Sequence, residues 1–471
     1  MRTVERRYWG AFVLITCCFA LWGFANDVTN PMVKGFSKIF RMSVTEGALV
    51  QVAFYGGYFC MALPAALFIR RFSYKGGILM GLGLYAAGAL LFLPAAKTGS
   101  YWPFLAAYFI LTCGLSFLET TANPFILSME TGERDSFASL GMTEETLGMT
   151  EGERDSFASL GMTEGDGGRA SGETATRRLN LAQSFNPIGS LCGMFVAMNL
   201  IQARLNPLSS AERAALDDAS FEAVKAADLA VVVKPYAAIG IVLAVFFVLM
   251  LLVRVPERGA GDSGLSRAFG PTVRRLLANR AYREGVLAQF FYIGAQITCW
   301  TFIIQYGTQV FMAEGMGEQA AEVLSQRYNI AAMILFCASR FVCTALMQRF
   351  RPAAMLRAFA AAGIALLLVV ICVGGRVGLY SLVGVSACMS LMFPTIYGLA
   401  LKDVGPDAEI GSAGLIMAIL GGSLLPPLQA LIIDGGHVAL SFVVPLACFG
   451  AVLGYGWRRG IDSFARCARS E

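Results

Sequence analysis

Apolar runs long enough to cross a bilayer recur twelve times along this chain of 471 residues, and no other feature constrains its fold as strongly. They lie at 8–33, 46–70, 77–95, 102–128, 179–203, 231–254, 284–312, 327–348, 353–373, 377–401, 410–433 and 438–457. A spanning helix needs about 20 predominantly apolar residues. In hydrocarbon every backbone N–H and C=O must be satisfied internally, so runs of this length are helices. Composition agrees, since 56% of the residues are hydrophobic and 15% charged, against about 25% charged in a soluble domain. One core cannot hide that much apolar surface. The sequence predicts an all-α integral membrane protein.

Basic residues orient it. Arg2, Arg6 and Arg7 precede the first run. No A-x-A-like cleavage site follows and the run is too long for a signal peptide, so it is expected to remain as the first span. Cytoplasmic loops carry an excess of Lys and Arg. With the N-terminus inside, 26 of the 37 fall in inner segments and ten in outer ones, and Arg340 lies within a span. Both termini are therefore expected in the cytoplasm, in a plasma (bacterial inner) membrane. The basic stretch 254–283 divides the runs six and six, as in transporters built from two halves. The expected organisation is an N-terminal six-helix half 1–254, a cytoplasmic linker 255–283, a C-terminal six-helix half 284–457 and a cytoplasmic tail 458–471.

Residues 132–144 read GERDSFASLGMTE and recur letter for letter at 152–164. Two copies are too few for a solenoid, and the acidic, core-poor stretch 130–173 reads as a solvated cytoplasmic insert. His437 is the one histidine, which argues against histidine acid–base chemistry and histidine metal sites. Eleven of the twelve cysteines lie inside apolar runs without C-x-x-C spacing, so they read as small buried hydrophobes. No nucleophile–base constellation is legible. We expect no catalytic residue, metal, cofactor or nucleic-acid partner, and a monomer in the lipid bilayer that handles a small molecule.

Ionisable side chains within a span are costly and face the bundle interior or an aqueous cavity. Asp27, Glu119 and Arg340 are the three, and amides gather beside them: Asn26 and Asn30, Asn123, Gln183 and Asn186, then Gln289, Gln296 and Gln305. Asp27 and Asn30, Glu119 and Asn123, and Gln183 and Asn186 stand three or four apart, so each pair shares a helix face. Trp22, four residues before Asn26, would lay an indole over the same cavity. An aromatic face with amides and carboxylates suits a sugar, because amides supply both donors and acceptors to hydroxyls. Pro31, Pro124 and Pro187 follow Asp27, Thr120 and Gln183 by four, which frees the carbonyl four residues back. These prolines and Arg340 are the structural or gating candidates.

Several stretches carry a resemblance: FALWGFAN (19–26), QVAFYGGYFCMALPAAL (51–67), FLETTANPF (117–125), RLNLAQSFNPIGS (178–190), VLAQFFYIGAQITCW (286–300) and FPTIYGLALKDVG (393–405). Together they resemble the fucose:proton symporter family of the major facilitator superfamily over nearly the whole chain except 130–173. The resemblance implies the major facilitator fold, twelve transmembrane helices in two six-helix halves. It also implies import of a monosaccharide, fucose or a related hexose, with a proton by alternating access. In that reading Glu119 couples the proton and Asp27 is a second proton site or a ligand. Trp22, Asn26, Asp27, Asn30, Asn123, Gln183, Asn186, Gln296 and Trp300 bind the substrate. This chain departs from the family in its first span, where the family's acid falls on Asn30 and its asparagine on Asp27. Met392 and Phe393 likewise replace a more polar Gln-Tyr pair. A sugar uniporter, a sodium-coupled sugar transporter and a non-transporting membrane sugar sensor are the alternatives.

Overall fold

The computed structural model describes residues 9–128, 185–253, 269–346, 350, 352–401, 404 and 407–467. The duplicated insert and Gln183 lie outside them, and the side chains of Asn123 and Pro124 are likewise outside the description. Twelve spans organise the chain: α1 (Trp9–Thr29), α2 (Leu49–Arg71), α3 (Tyr74–Leu90), α4 (Trp102–Ser128), α5 (Asn186–Val196), α6 (Asp218–Leu252), α7 (Arg280–Ala313), α8 (Glu318–Leu346), α9 (Pro352–Cys372), α10 (Gly375–Met389), α11 (Gly421–Asp434) and α12 (Val443–Cys467). Met32–Ile39 extends α1, Met392–Leu401 extends α10 and Ala408–Met417 leads into α11. Within the stretch expected as linker, Phe269–Ala278 is a helix and α7 already begins at Arg280.

Ten segments are long and apolar enough to cross a membrane among the described residues. The other two spans fall short for different reasons. Only the part of α5 from Asn186 is described, and α8 carries Glu318, Glu322, Arg327 and Arg340, which dilute its apolarity. Outward-facing residues are lipid-compatible. On α6, Ile241, Val245, Val248 and Leu252 form an exposed stripe at helical spacing.

The packing repeats. In the first half α1 packs on α5, α2 on α4, and α3 on α4 and α6. In the second half α7 packs on α11, α8 on α10, and α9 on α10 and α12. Each second-half pairing is the first-half one advanced by six helices, as expected of two repeats. The halves meet where α2 lies against α11 and α5 against α8.

Glycine sets the closest approaches. A Cβ on Gly23, Gly189 or Gly193 would collide with the carbonyl oxygen of Asn186, Ala20 or Phe24, so α1 and α5 touch backbone to backbone. Gly421 meets the carbonyl of Phe290 and Gly294 meets Leu425, the matching seam between α7 and α11. Gly77 and Gly81 of α3, four apart in a small-x-x-x-small pattern, lie against Thr121 and Leu118 of α4. Without a hydrophobic drive between helices in lipid, such van der Waals seams carry the association.

Prolines divide by position. Pro31 breaks the first span, since α1 ends at Thr29 and a new helix starts at Met32 with Pro31 as its N-cap. α4 runs through Pro124 unbroken. Pro187 stands in the first turn of the described part of α5.

Candidate functional site

Asp27 sits one turn before the break at Pro31, and Asn30 falls in the turn itself, so their side chains converge. Asn30 Nδ2 donates to Asp27 Oδ1 at 3.1 Å. Gln51 at the start of α2 donates to Asn30 Oδ1 at 3.2 Å and to Thr301 Oγ1 of α7 at 2.9 Å. All four are buried. The acid of the first span is thereby connected, through two amides, to a hydroxyl on the other half.

Aromatic rings adjoin this chain. Tyr55 donates to Asn26 Oδ1 at 2.8 Å and stacks with Tyr58 at 6.4 Å. Trp22 is half-buried, stacked on Phe19 at 5.7 Å and 6.5 Å from Tyr58. Glycine at 422 lets α11 lie against the Tyr55 ring, where a Cβ would stand 3.1 Å away. Tyr55 lies within electrostatic reach of Asp27, and Tyr58, one turn further, of Glu119.

Glu119 is buried midway along α4, and its Oε2 has no hydrogen-bond partner among the described residues. Tyr397 of the second half also lies within its electrostatic reach. A carboxylate with an oxygen left without a donor in such a place carries a heavy desolvation cost, which protonation relieves.

The other candidates spread more widely. Asn186 opens α5 and spends its Nδ2 on the Phe19 carbonyl of α1 at 3.2 Å. Gln296 is half-buried on α7. Trp300 is buried inside the second half, its indole N–H donated to Ser386 Oγ at 3.1 Å and its ring edge-on to Phe336 at 5.1 Å. Arg340 lies over Phe336 at 5.1 Å and donates to the Ser390 carbonyl at 3.4 Å, joining α8 to α10. Sequence reasoning missed Gln51, Tyr55, Tyr58 and Thr301. Three of these stand in or beside the QVAFYGGYFC motif, but their role depends on which helix faces them.

A polar latch closes the face of the bundle opposite the chain ends. Lys34 Nζ lies 3.3 Å from Glu322 Oε1 of α8, and Lys38 Nζ lies 3.8 Å from both Glu318 and Glu322. Asp434 at the end of α11 accepts from the backbone N–H groups of Val44 and Thr45 at 2.7 and 2.8 Å, capping a short first-half helix. Ser210 of the first half donates its N–H and hydroxyl to Glu318, both at 2.9 Å. Removing one partner of a buried ion pair costs about 3–5 kcal/mol, and conformers of such proteins differ by a few kcal/mol. Glu322→Gln is therefore expected to swing the population toward a state open at this face. Spin-label distances between Met42 and Gly435 sites, compared with wild type, will check it.

Two six-helix repeats around an interior of acids, amides and aromatic rings define a transporter of the major facilitator fold. No family model matches the chain. It is 45% identical over 471 residues to the L-fucose-proton symporter of Haemophilus influenzae, covering 97% of this chain and 98% of that protein. Identity to the L-fucose-proton symporter of Escherichia coli is 31%, over 95% and 92% of the two chains. The crystal structure of the major facilitator transporter FucP in its outward conformation matches with a TM-score of 0.68 at 31% identity, covering 96% of this chain and 99% of that one. The chain belongs to the fucose:proton symporter family of the major facilitator superfamily, and it is a multi-pass membrane protein.

Proposed function

We propose that the chain imports a monosaccharide, fucose or a related hexose, together with a proton by alternating access. The buried, donor-poor Glu119 beside an amide- and aromatic-lined interior carries this reading. Glu119 takes up the proton, which removes a charge from the low-dielectric interior before the halves move. Trp22, Tyr55 and Tyr58 offer ring faces to the sugar, and Asn26, Asp27, Asn30, Gln183, Asn186 and Gln296 are the hydroxyl partners. Asp27 also reports occupancy to the second half, because its link to Thr301 runs through Asn30 and Gln51. The protein acts as a carrier and not as an enzyme.

The halves are placed at 1–254 and 284–457, with both termini cytoplasmic. In that orientation the latch of Lys34, Lys38, Glu318, Glu322 and Asp434 is the outer gate, closed here. The test is uptake of labelled hexoses and deoxyhexoses by proteoliposomes, with and without an inward proton gradient. Uptake driven by sodium and indifferent to pH would overturn the coupling.

The exchange of acid and amide in the first span is also testable. Because Asp27 and Asn30 are bonded to each other, moving the carboxylate from one to the other keeps the pair. Asp27→Asn alone is expected to weaken sugar binding by about tenfold, the worth of a charge-assisted hydrogen bond. Adding Asn30→Asp should recover part of it in the same binding titration.

A further inference from the structure

Gln326 and Asn329 of α8 are both fully buried, and none of their four amide atoms has a hydrogen-bond partner among the described residues. Leaving a buried polar group unpaired costs about 1–3 kcal/mol, and two whole amides in one helix turn are rarely tolerated without something to bond. Their position says what that is.

At 100° per residue, Gln326 and Asn329 fall on the helix face of Glu322, four and seven residues back. That face crosses to the first half, since Glu322 pairs with Lys34 and Lys38. Cys337, further along on the same side, lies within electrostatic reach of Asp27. Ser325, four residues before Asn329, borders this face on the α7 side, against Gly307. Depth agrees as well. Asn329 lies seven residues inward of Glu322, about 10 Å along α8, and Asp27 lies seven residues inward of Lys34, across the break at Pro31. The two amides therefore stand across the interface at the level of Asp27 and Asn30.

We infer that Gln326 and Asn329 are substrate-positioning residues, the second half's hydroxyl partners opposite the Asp27–Asn30 pair. Each amide offers a donor and an acceptor, which matches vicinal hydroxyls on a pyranose. The inference rests on the sugar reading above, so the experiment separates the two.

Binding of the hexose and deoxyhexose panel is measured on purified wild type, Gln326→Leu and Asn329→Leu, with thermal unfolding beside it. Each variant is expected to raise Kd about tenfold while Tm holds or rises, because leucine removes an unpaired polar group. A sugar lacking the hydroxyl that Asn329 bonds should lose nothing further in Asn329→Leu. Unchanged Kd in both variants, with wild type binding normally, overturns the inference. Should wild type bind no sugar in the panel, the sugar reading fails and a second measurement decides this one. Gln326→Cys and Asn329→Cys are treated with a water-soluble thiol reagent, with the unsubstituted chain as blank. Labelling keeps both positions on the aqueous path for another polar ligand, and no labelling at either overturns the inference.

Discussion

Glu119→Gln is expected to abolish accumulation of sugar driven by a pH gradient while exchange of internal for external sugar continues. The amide keeps the size and much of the hydrogen-bonding capacity of the protonated acid, so the loaded carrier can still form and cross. The empty carrier must release its proton to complete the cycle, and the amide has none to release. Proteoliposomes preloaded with unlabelled sugar read the exchange, and an imposed gradient reads accumulation. A structural role would depress both together. Accumulation that survives in the variant rules Glu119 out as the coupling group and passes that role to Asp27, the other buried acid near the ring pair.

Gly189→Ala should lose most of its folded protein, although alanine is the better helix former by about 1 kcal/mol. The added Cβ would drive into the Ala20 carbonyl, a backbone atom that cannot swing aside as a side chain does. Overpacking costs about 1–3 kcal/mol even where neighbours can give, and here α1 must leave α5. Gly450→Ala is the matched control, because nothing lies within 4 Å of its Cβ position. Fluorescence-detected size exclusion in detergent, with a heating series, should show Gly450→Ala at or above wild type and Gly189→Ala largely aggregated. Equal behaviour of the two would mean that the seam is looser than its geometry.

The spans were legible because apolar runs report on lipid, a solvent every span shares. Asp27, Asn30 and Glu119 were legible for the converse reason, as polar groups where that solvent forbids them. The spacing of Asp27 and Asn30 anticipates the bond between them. Gln51, Tyr55 and Thr301 were not legible, because each matters through a partner on a different helix, and one-dimensional spacing says nothing of rotation between helices. Gln326 and Asn329 were hidden by company. They lie in the least apolar span, among charges that make two further amides unremarkable. Trp300 gave no spacing signal of its own, and its bond to Ser386 is likewise set by how α7 is turned toward α10.

The two glycine seams share a property with a well-cut gear. α5 is clamped to α1, and it is also the helix that meets α8 of the other half; α11 is clamped to α7 and meets α2. Each surface on which the halves roll thus includes one helix with no clearance behind it. Displacement at the boundary reaches the cavity without backlash, so sugar and proton have little chance to cross out of step. Slack at Gly193 or Gly294 would appear first as slippage, sugar leaking without its proton, before any loss of speed.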